Sequence, residues 1–334
     1  MTSAVRCFWK RGTDFFFPIE SDRWLSILRI GLGLQIIIYA WSARDDWMEL
    51  FGRSGQALIN RELTEKVLGA QSPLAPRLGW LISLGGRLGV SEPIILWTAW
   101  FCLLCVGFLL VCGLFCRPAA VIAWFIHLCV TNSQRFLAYG MDTFTTIGLF
   151  YLMLAPLPDR LALDARFWRL RASDPQLLGF FRRVLQIHLC FIYFFGGITK
   201  CAGVEWWNGT SIWRVMTSPP HDLISPQILV SWGYLLPFLG IAVCLLETGY
   251  PLFIWPKRTR AVWLMCVIGM HVTIGLTMGL YLFSLIMITL NAAAFGPGLV
   301  FPGRRAEIQS SMLDKPTIAE FPVKDHHKHS ADPA

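Results

Sequence analysis

Runs of membrane length made mostly of apolar residues recur along the whole of this 334-residue chain. An α-helix needs about 20 such residues to cross the hydrocarbon core of a bilayer. The runs fall at 24–41, 93–114, 119–136, 143–157, 178–198, 228–255, 261–278 and 279–295. Eight spans use about 160 positions, which the chain supplies with room for loops. The fourth run is short and the sixth long. Only Gly279 divides the last two, so seven and nine are the neighbouring counts. The expected fold is all-α, a polytopic integral membrane helix bundle of about eight transmembrane helices.

Charge decides how the bundle is oriented. Only 15% of the residues are charged and 55% are hydrophobic, against about 25% charged in a soluble domain. That leaves too little polar surface for a water-soluble globule, and a secreted disulfide scaffold, a disordered chain or a nucleic-acid binder fits poorly. The formal charge of +8 is spread unevenly. Arg6, Lys10, Arg11 and Arg23 precede the first span. Arg117, then Arg160 to Arg171, then Lys257 to Arg260, and finally Arg304 and Arg305 mark alternate connections. The intervening loops are poorer in Lys and Arg, which by the positive-inside rule puts both termini in the cytoplasm. The chain then divides into a cytoplasmic arm (1–23), a single transmembrane domain (24–296) with a long extracytoplasmic loop (42–92), and a disordered polar tail (297–334). The first apolar run starts late and lacks a small-residue cleavage site, so it reads as an uncleaved span. Residues 61–69 are expected to form a helix lying at the interface. Membrane lipid is the expected partner, with no nucleic acid, and a bacterial inner membrane the expected location.

The ten cysteines do not form a metal pattern. Cys102, Cys105, Cys112 and Cys116 share one helical face among apolar neighbours and read as small packing residues; no metal site is expected. Ionisable groups inside spans are costly and draw attention. Arg29 sits in the first span, and snorkelling or a carboxylate partner would each explain it. His127, Thr131, Gln134 and Arg135 follow a helical stripe in the third span, with Asn132 beside it, and Asp142 in the next turn is placed to pair with Arg135. Glu247 in the sixth span has Arg29 or Arg135 as candidate partners. Ser284, Ile288 and Asn291 share one face of the last span.

The densest stretch is Tyr193-Phe194-Phe195-Gly196-Gly197-Ile198-Thr199-Lys200, followed by Trp206-Trp207-Asn208-Gly209-Thr210. Lys200 at this depth either snorkels to water or is tucked against the bundle, where a desolvated amine can serve as a base. Trp206 and Trp207 suit an interfacial belt, and Asn208-Gly209-Thr210 reads as a turn rather than a glycosylation site. The Gly-x-x-Lys element and the Trp-x-x-Gly that follows it resemble the fifth-span signature of the vitamin K-dependent γ-carboxylase family, which shares the horizontally transferred transmembrane (HTTM) domain. Leu28 to Gly33, Asn132 to Asp142, and His271 with Phe283-Ser284 extend the resemblance over nearly all of 20–296. Ser133 stands where the carboxylases usually carry a histidine.

The resemblance implies an enzyme that uses a reduced vitamin K-type quinone, O2 and CO2 to carboxylate a peptide or small acceptor. It implies Lys200 as the base that deprotonates the quinol. His271 and Asn132 would position the quinone, an oxygen species or CO2, with Arg135 and Trp207 among the binding residues. Tyr193, Phe194 and Phe195 would line an apolar quinone slot. The other reading is a non-enzymatic membrane component of a peptide maturation, export or immunity system. A transporter is not favoured, because no paired broken helices or half-to-half symmetry is visible.

Overall fold

The computed structural model describes residues 3–53, 60–168, 173–221 and 223–297. Among these, the chain forms sixteen α-helices and one short 3-10 turn, with no strand. In order they are α1 (Ser3–Phe16), α2 (Arg23–Ser42), α3 (Trp47–Phe51), α4 (Arg61–Gln71), α5 (Leu78–Arg87), α6 (Glu92–Cys112), α7 (Cys116–Ser133) and α8 (Gly140–Leu154). There follow α9 (Leu163–Phe167), α10 (Pro175–Cys201), α11 (Val204–Trp207), α12 (Thr210–Thr217), α13 (Pro226–Ser231), α14 (Leu236–Phe253), α15 (Lys257–Met278) and α16 (Tyr281–Phe295). The all-α membrane bundle expected from the sequence is what the chain forms. The polar tail, with its histidines, lies beyond residue 297 and so outside the described residues.

Each expected span falls on a helix, but the helices are not equal. Five are long and apolar enough to cross a membrane: α2, α6, α10, α15, and α14 together with the 3-10 turn before it. α7, with 18 residues, and α8 and α16, with 15 each, are shorter. A 15-residue helix is about 22 Å long, less than the hydrocarbon thickness of about 30 Å. The long sixth run is broken into α13, the 3-10 turn at Gly233–Leu235, and α14. Local chemistry sets these ends. Pro93 and Pro175 occupy first-turn positions, where the missing N–H costs nothing. Asp174 caps α10 by accepting from the Gln176 amide at 2.9 Å.

Two rings of four helices share the core. In the first, α2 packs on α6, α6 on α7, α7 on α8, and α8 back on α2. In the second, α10, α14, α15 and α16 repeat the same circuit. α16 joins the rings by packing against α2 and α8 as well. Consequently α2 buries Leu25, Leu28, Leu32 and Ile36 completely, while Phe101 and Phe108 of α6 and Val262 and Met265 of α15 face outward, where lipid would meet them. The first loop folds into α3, α4 and α5. Its α4 contains the expected interfacial helix and packs on α7, as α5 does.

Arg29 is settled by a carboxylate, as one sequence reading allowed, and the carboxylate is Asp159. Nε donates to Asp159 Oδ2 at 2.6 Å and Nη2 to Oδ1 at 3.3 Å, with both side chains fully buried. Nη1 donates to the carbonyls of Leu110 and Val111 at the end of α6. Ser26 and the Leu161 amide also donate to Asp159. The loop after α8 is thereby pinned to α2 and α6. Nearby, Asp164 accepts from the Phe115 and Cys116 amides at 2.9 and 2.8 Å, fixing the start of α7.

Candidate active site at the α10–α14 crossing

α10 and α14 run antiparallel and meet at Gly197. A Cβ there would stand 2.5 Å from Thr248 Oγ1, so only glycine permits the approach. One turn away, Lys200 Nζ donates to Glu247 Oε2 at 2.5 Å. Gly196 leaves the pair its space, since a Cβ at that position would lie 3.3 Å from Glu247 Oε2 and 3.6 Å from Lys200 Nζ. The pair is not sealed: the Lys200 side chain is 27% exposed and that of Glu247 11%. Trp206 closes one side, its ring centroid 5.5 Å from Nζ. The sequence pointed to Arg29 or Arg135 for Glu247. The structure gives it Lys200 instead, and Lys200 is therefore not a lone desolvated amine.

Beneath this pair a directed chain of hydrogen bonds crosses four helices. Tyr250 donates to Asn291 Oδ1 at 2.7 Å, which fixes the amide orientation. Asn291 Nδ2 donates to the Met287 carbonyl at 2.8 Å and to the Tyr193 oxygen at 2.7 Å. The Tyr193 hydroxyl hydrogen then goes to its remaining partner, His271 Nε2, at 2.7 Å. A neutral imidazole accepting at Nε2 carries its proton on Nδ1, and His271 Nδ1 is buried with no hydrogen-bond partner among the described residues. Ser284 holds the backbone under the ring by donating to the His271 carbonyl at 2.6 Å. The Tyr193 and Tyr250 rings stack at 4.2 Å, and Phe283 stands edge-on to His271 at 5.6 Å.

Of the residues singled out from the sequence, Tyr193 and His271 are bonded to each other here, and Lys200 pairs with Glu247 two turns along α10 from Tyr193. Phe195 does not join them: it points outward, 60% exposed, and stacks on Phe191. Two residues along a helix is a rotation of about 200°, so Tyr193 and Phe195 cannot share a face. Trp207 is exposed and donates from Nε1 to the Cys201 carbonyl at 2.8 Å; its neighbour Trp206 is the one that faces Lys200. Asn132 spends its amide on the Pro76 carbonyl at 2.8 Å, under the first loop. Arg135 is exposed and not paired with Asp142, whose carboxylate accepts from the Tyr139 amide at 3.0 Å and caps α8. The polar stripe of the third span turns inward at its other members: His127 meets Thr146 at 3.1 Å and Gln134 meets Tyr39 at 2.9 Å. The turn at 208–210 is as expected, with Gly209 at a φ of +80° and Asn208 accepting from the Thr210 amide. Tyr250, which the sequence did not single out, anchors the chain of hydrogen bonds.

Among the described residues no cluster of His, Cys, Asp and Glu is arranged to hold a metal ion. A comparison of the chain with known protein families, with curated proteins and with solved structures gives no match.

Proposed function

We propose that this chain is an integral-membrane enzyme of the γ-carboxylase-like HTTM type, which takes a reduced quinone of the vitamin K type from the bilayer and, with O2 and CO2, carboxylates a peptide or small acceptor. The observation that carries the reading is the partly exposed Lys200–Glu247 pair, on the same two helices as Tyr193 and Tyr250, the residues that tie down a buried His271 whose Nδ1 has no partner among the described residues. A donor left unpartnered in a membrane interior is costly, and a quinol or quinone oxygen is a group that would satisfy it. Trp206 beside Lys200 and Phe283 edge-on to His271 supply aromatic surface of the kind a flat apolar ring packs against.

When bound, the quinol supplies the reducing equivalents and, with oxygen, the strong base that removing a carbon-bound proton requires. The chain's own part is narrower. Lys200 and Glu247 share one hydrogen bond and so form a proton relay able to accept a proton at either Nζ or Oε2. Tyr193, Asn291 and Tyr250 orient His271, so that its Nδ1 presents a fixed donor. The dry packing below the pair keeps water from a reactive anion.

The orientation we adopt has both termini in the cytoplasm of a bacterial inner membrane. Its support is that Arg117, Arg160, Arg183 and Arg260 sit at one end of the bundle: Arg117, Arg183 and Arg260 donate to carbonyls at the ends of α8, α1 and α14, and Arg160 pairs with Asp22 just before α2. The site then opens toward the extracytoplasmic side. The deciding test is turnover of purified protein with menaquinol or phylloquinol, O2 and bicarbonate. Oxygen-dependent formation of the quinone epoxide is expected. Lys200→Ala should abolish it while the protein elutes and melts as the parent does. No turnover with either quinol overturns the reading.

A further inference from the structure

We propose that Cys201 and Cys244 form a reversible disulfide that staples α10 to α14 beside the Lys200–Glu247 pair. The register of the antiparallel crossing leads to these two residues. Tyr193 stacks on Tyr250, Gly197 abuts Thr248, and Lys200 reaches Glu247. Moving one turn forward from Gly197 gives Cys201, and one turn back from Thr248 gives Cys244. Cys201 Sγ lies 3.5 Å from Thr248 Oγ1, which places it against the face of α14 that carries Cys244 one turn away.

Most helix pairs, about 8–10 Å apart, are too far apart to bridge, because a disulfide needs Cα atoms within roughly 4.4–6.8 Å. The glycine at Gly197 removes that obstacle one turn from the cysteines. Both residues are free thiols in this structure. Their surroundings differ in a way that sets the order of reaction: Cys201, the last residue of α10, is partly exposed, whereas Cys244 is buried. Cys112 and Cys266 are exposed too, yet they lie on other helices, away from this crossing.

The chemistry is thiol–disulfide exchange with a low-molecular-weight disulfide arriving from the aqueous side. The Cys201 thiolate attacks one sulfur, forms a mixed disulfide and expels one thiol. Cys244, losing its proton, displaces the second thiol and closes the protein disulfide. Two protein thiols are oxidised, and one external disulfide is reduced to two thiols. The new bond lies next to Lys200 in sequence and one turn before Glu247, so it fixes the separation of the proposed proton relay. This inference goes beyond the proposed activity and does not depend on it.

The full-length protein, in lipid nanodiscs, would be treated with oxidised glutathione, alkylated, digested without reduction and mapped by mass spectrometry. The expected result is a linked pair of peptides containing Cys201 and Cys244 that disappears on adding dithiothreitol. Oxidation should also raise the melting temperature by about 5 °C. Both changes should be lost in Cys201→Ser and in Cys244→Ser, variants small enough to keep the fold. Glutathione left on Cys201 without closure to Cys244, or linkage confined to other cysteines, overturns the proposal.

Discussion

Changing Asp159 to Asn separates charge from shape at the most enclosed ion pair of the bundle. Arg29 is completely buried, and its guanidinium has two kinds of partner: the Asp159 carboxylate, through Nε at 2.6 Å and Nη2 at 3.3 Å, and two carbonyls at the end of α6. Asparagine keeps an acceptor oxygen for Ser26 and the Leu161 amide but leaves the guanidinium charge without its counter-charge. Removing one partner of a buried pair costs about 3–5 kcal/mol, because the remaining charge stays desolvated. At roughly 2–4 °C per kcal/mol for chains of 150–250 residues, the melting temperature should fall on the order of 10 °C. Thermal unfolding of the detergent-solubilised protein, followed by intrinsic tryptophan fluorescence, measures it. The decisive comparison is the double variant Arg29→Met with Asp159→Asn. With the cation gone, the Asp159 change should add little, so the double variant should melt close to Arg29→Met alone. A shift below about 2 °C for Asp159→Asn, or strict additivity in the double variant, would show that the pair does not hold the α8–α10 loop to α2 and α6.

Four further outcomes follow from the same structure. Glu247→Gln should lower quinol turnover at least tenfold with the helices still packed, checked by initial rates and melting temperature together; unchanged turnover would remove Glu247 from the relay. Tyr193→Phe should destabilise by about 1–3 kcal/mol, because His271 Nε2 and one Asn291 proton lose their buried partner, and denaturant unfolding will read the loss. Asp164→Ala should cost about 1–2 kcal/mol through loss of the amide bonds at the start of α7, seen as a lower melting temperature. By contrast, Arg53 holds the exposed Glu62 carboxyl below its usual range. A lowered folded value means that any stabilisation is present above the unfolded pKa and vanishes as pH falls through the folded one. Solvent screens this pair, so Glu62→Gln should melt with the parent at pH 7.

The spans were legible because a long apolar run has few alternatives to a membrane helix, and the breaks came less clearly because they depend on local packing. The sixth run looked continuous, yet it divides at Gly233 ahead of Pro237. At the site, helical periodicity gives a face but not the neighbour it meets. Lys200 and Glu247 were each conspicuous as charges in apolar surroundings, and their pairing depends on a crossing of helices 47 residues apart. Asp159 escaped notice because a carboxylate just past a span looks like solvated loop; only the fold carries it under Ser26 and Arg29. Phe195 is the opposite case. The sequence already held the rotation that separates it from Tyr193, and the aromatic run hid that rotation.

Two of the ion pairs in one bundle, Arg29–Asp159 and Lys200–Glu247, need not do the same work, and their surroundings distinguish them. At Arg29 the planar guanidinium is matched to a carboxylate and two carbonyls, Asp159 accepts from Ser26 and Leu161 as well, and neither side chain touches solvent. Moving a proton there would strand several bonds at once, so the arrangement holds position. At Lys200 the amine has three donors and, among the described residues, one hydrogen-bonded partner; the facing residue is a glycine, and both side chains keep some exposure. A proton can pass from Nζ to Oε2 without breaking any other bond of either side chain, and the pair stays neutral overall whichever proton is held. The difference lies in spare capacity, and it is what makes the second pair the one to test for chemistry.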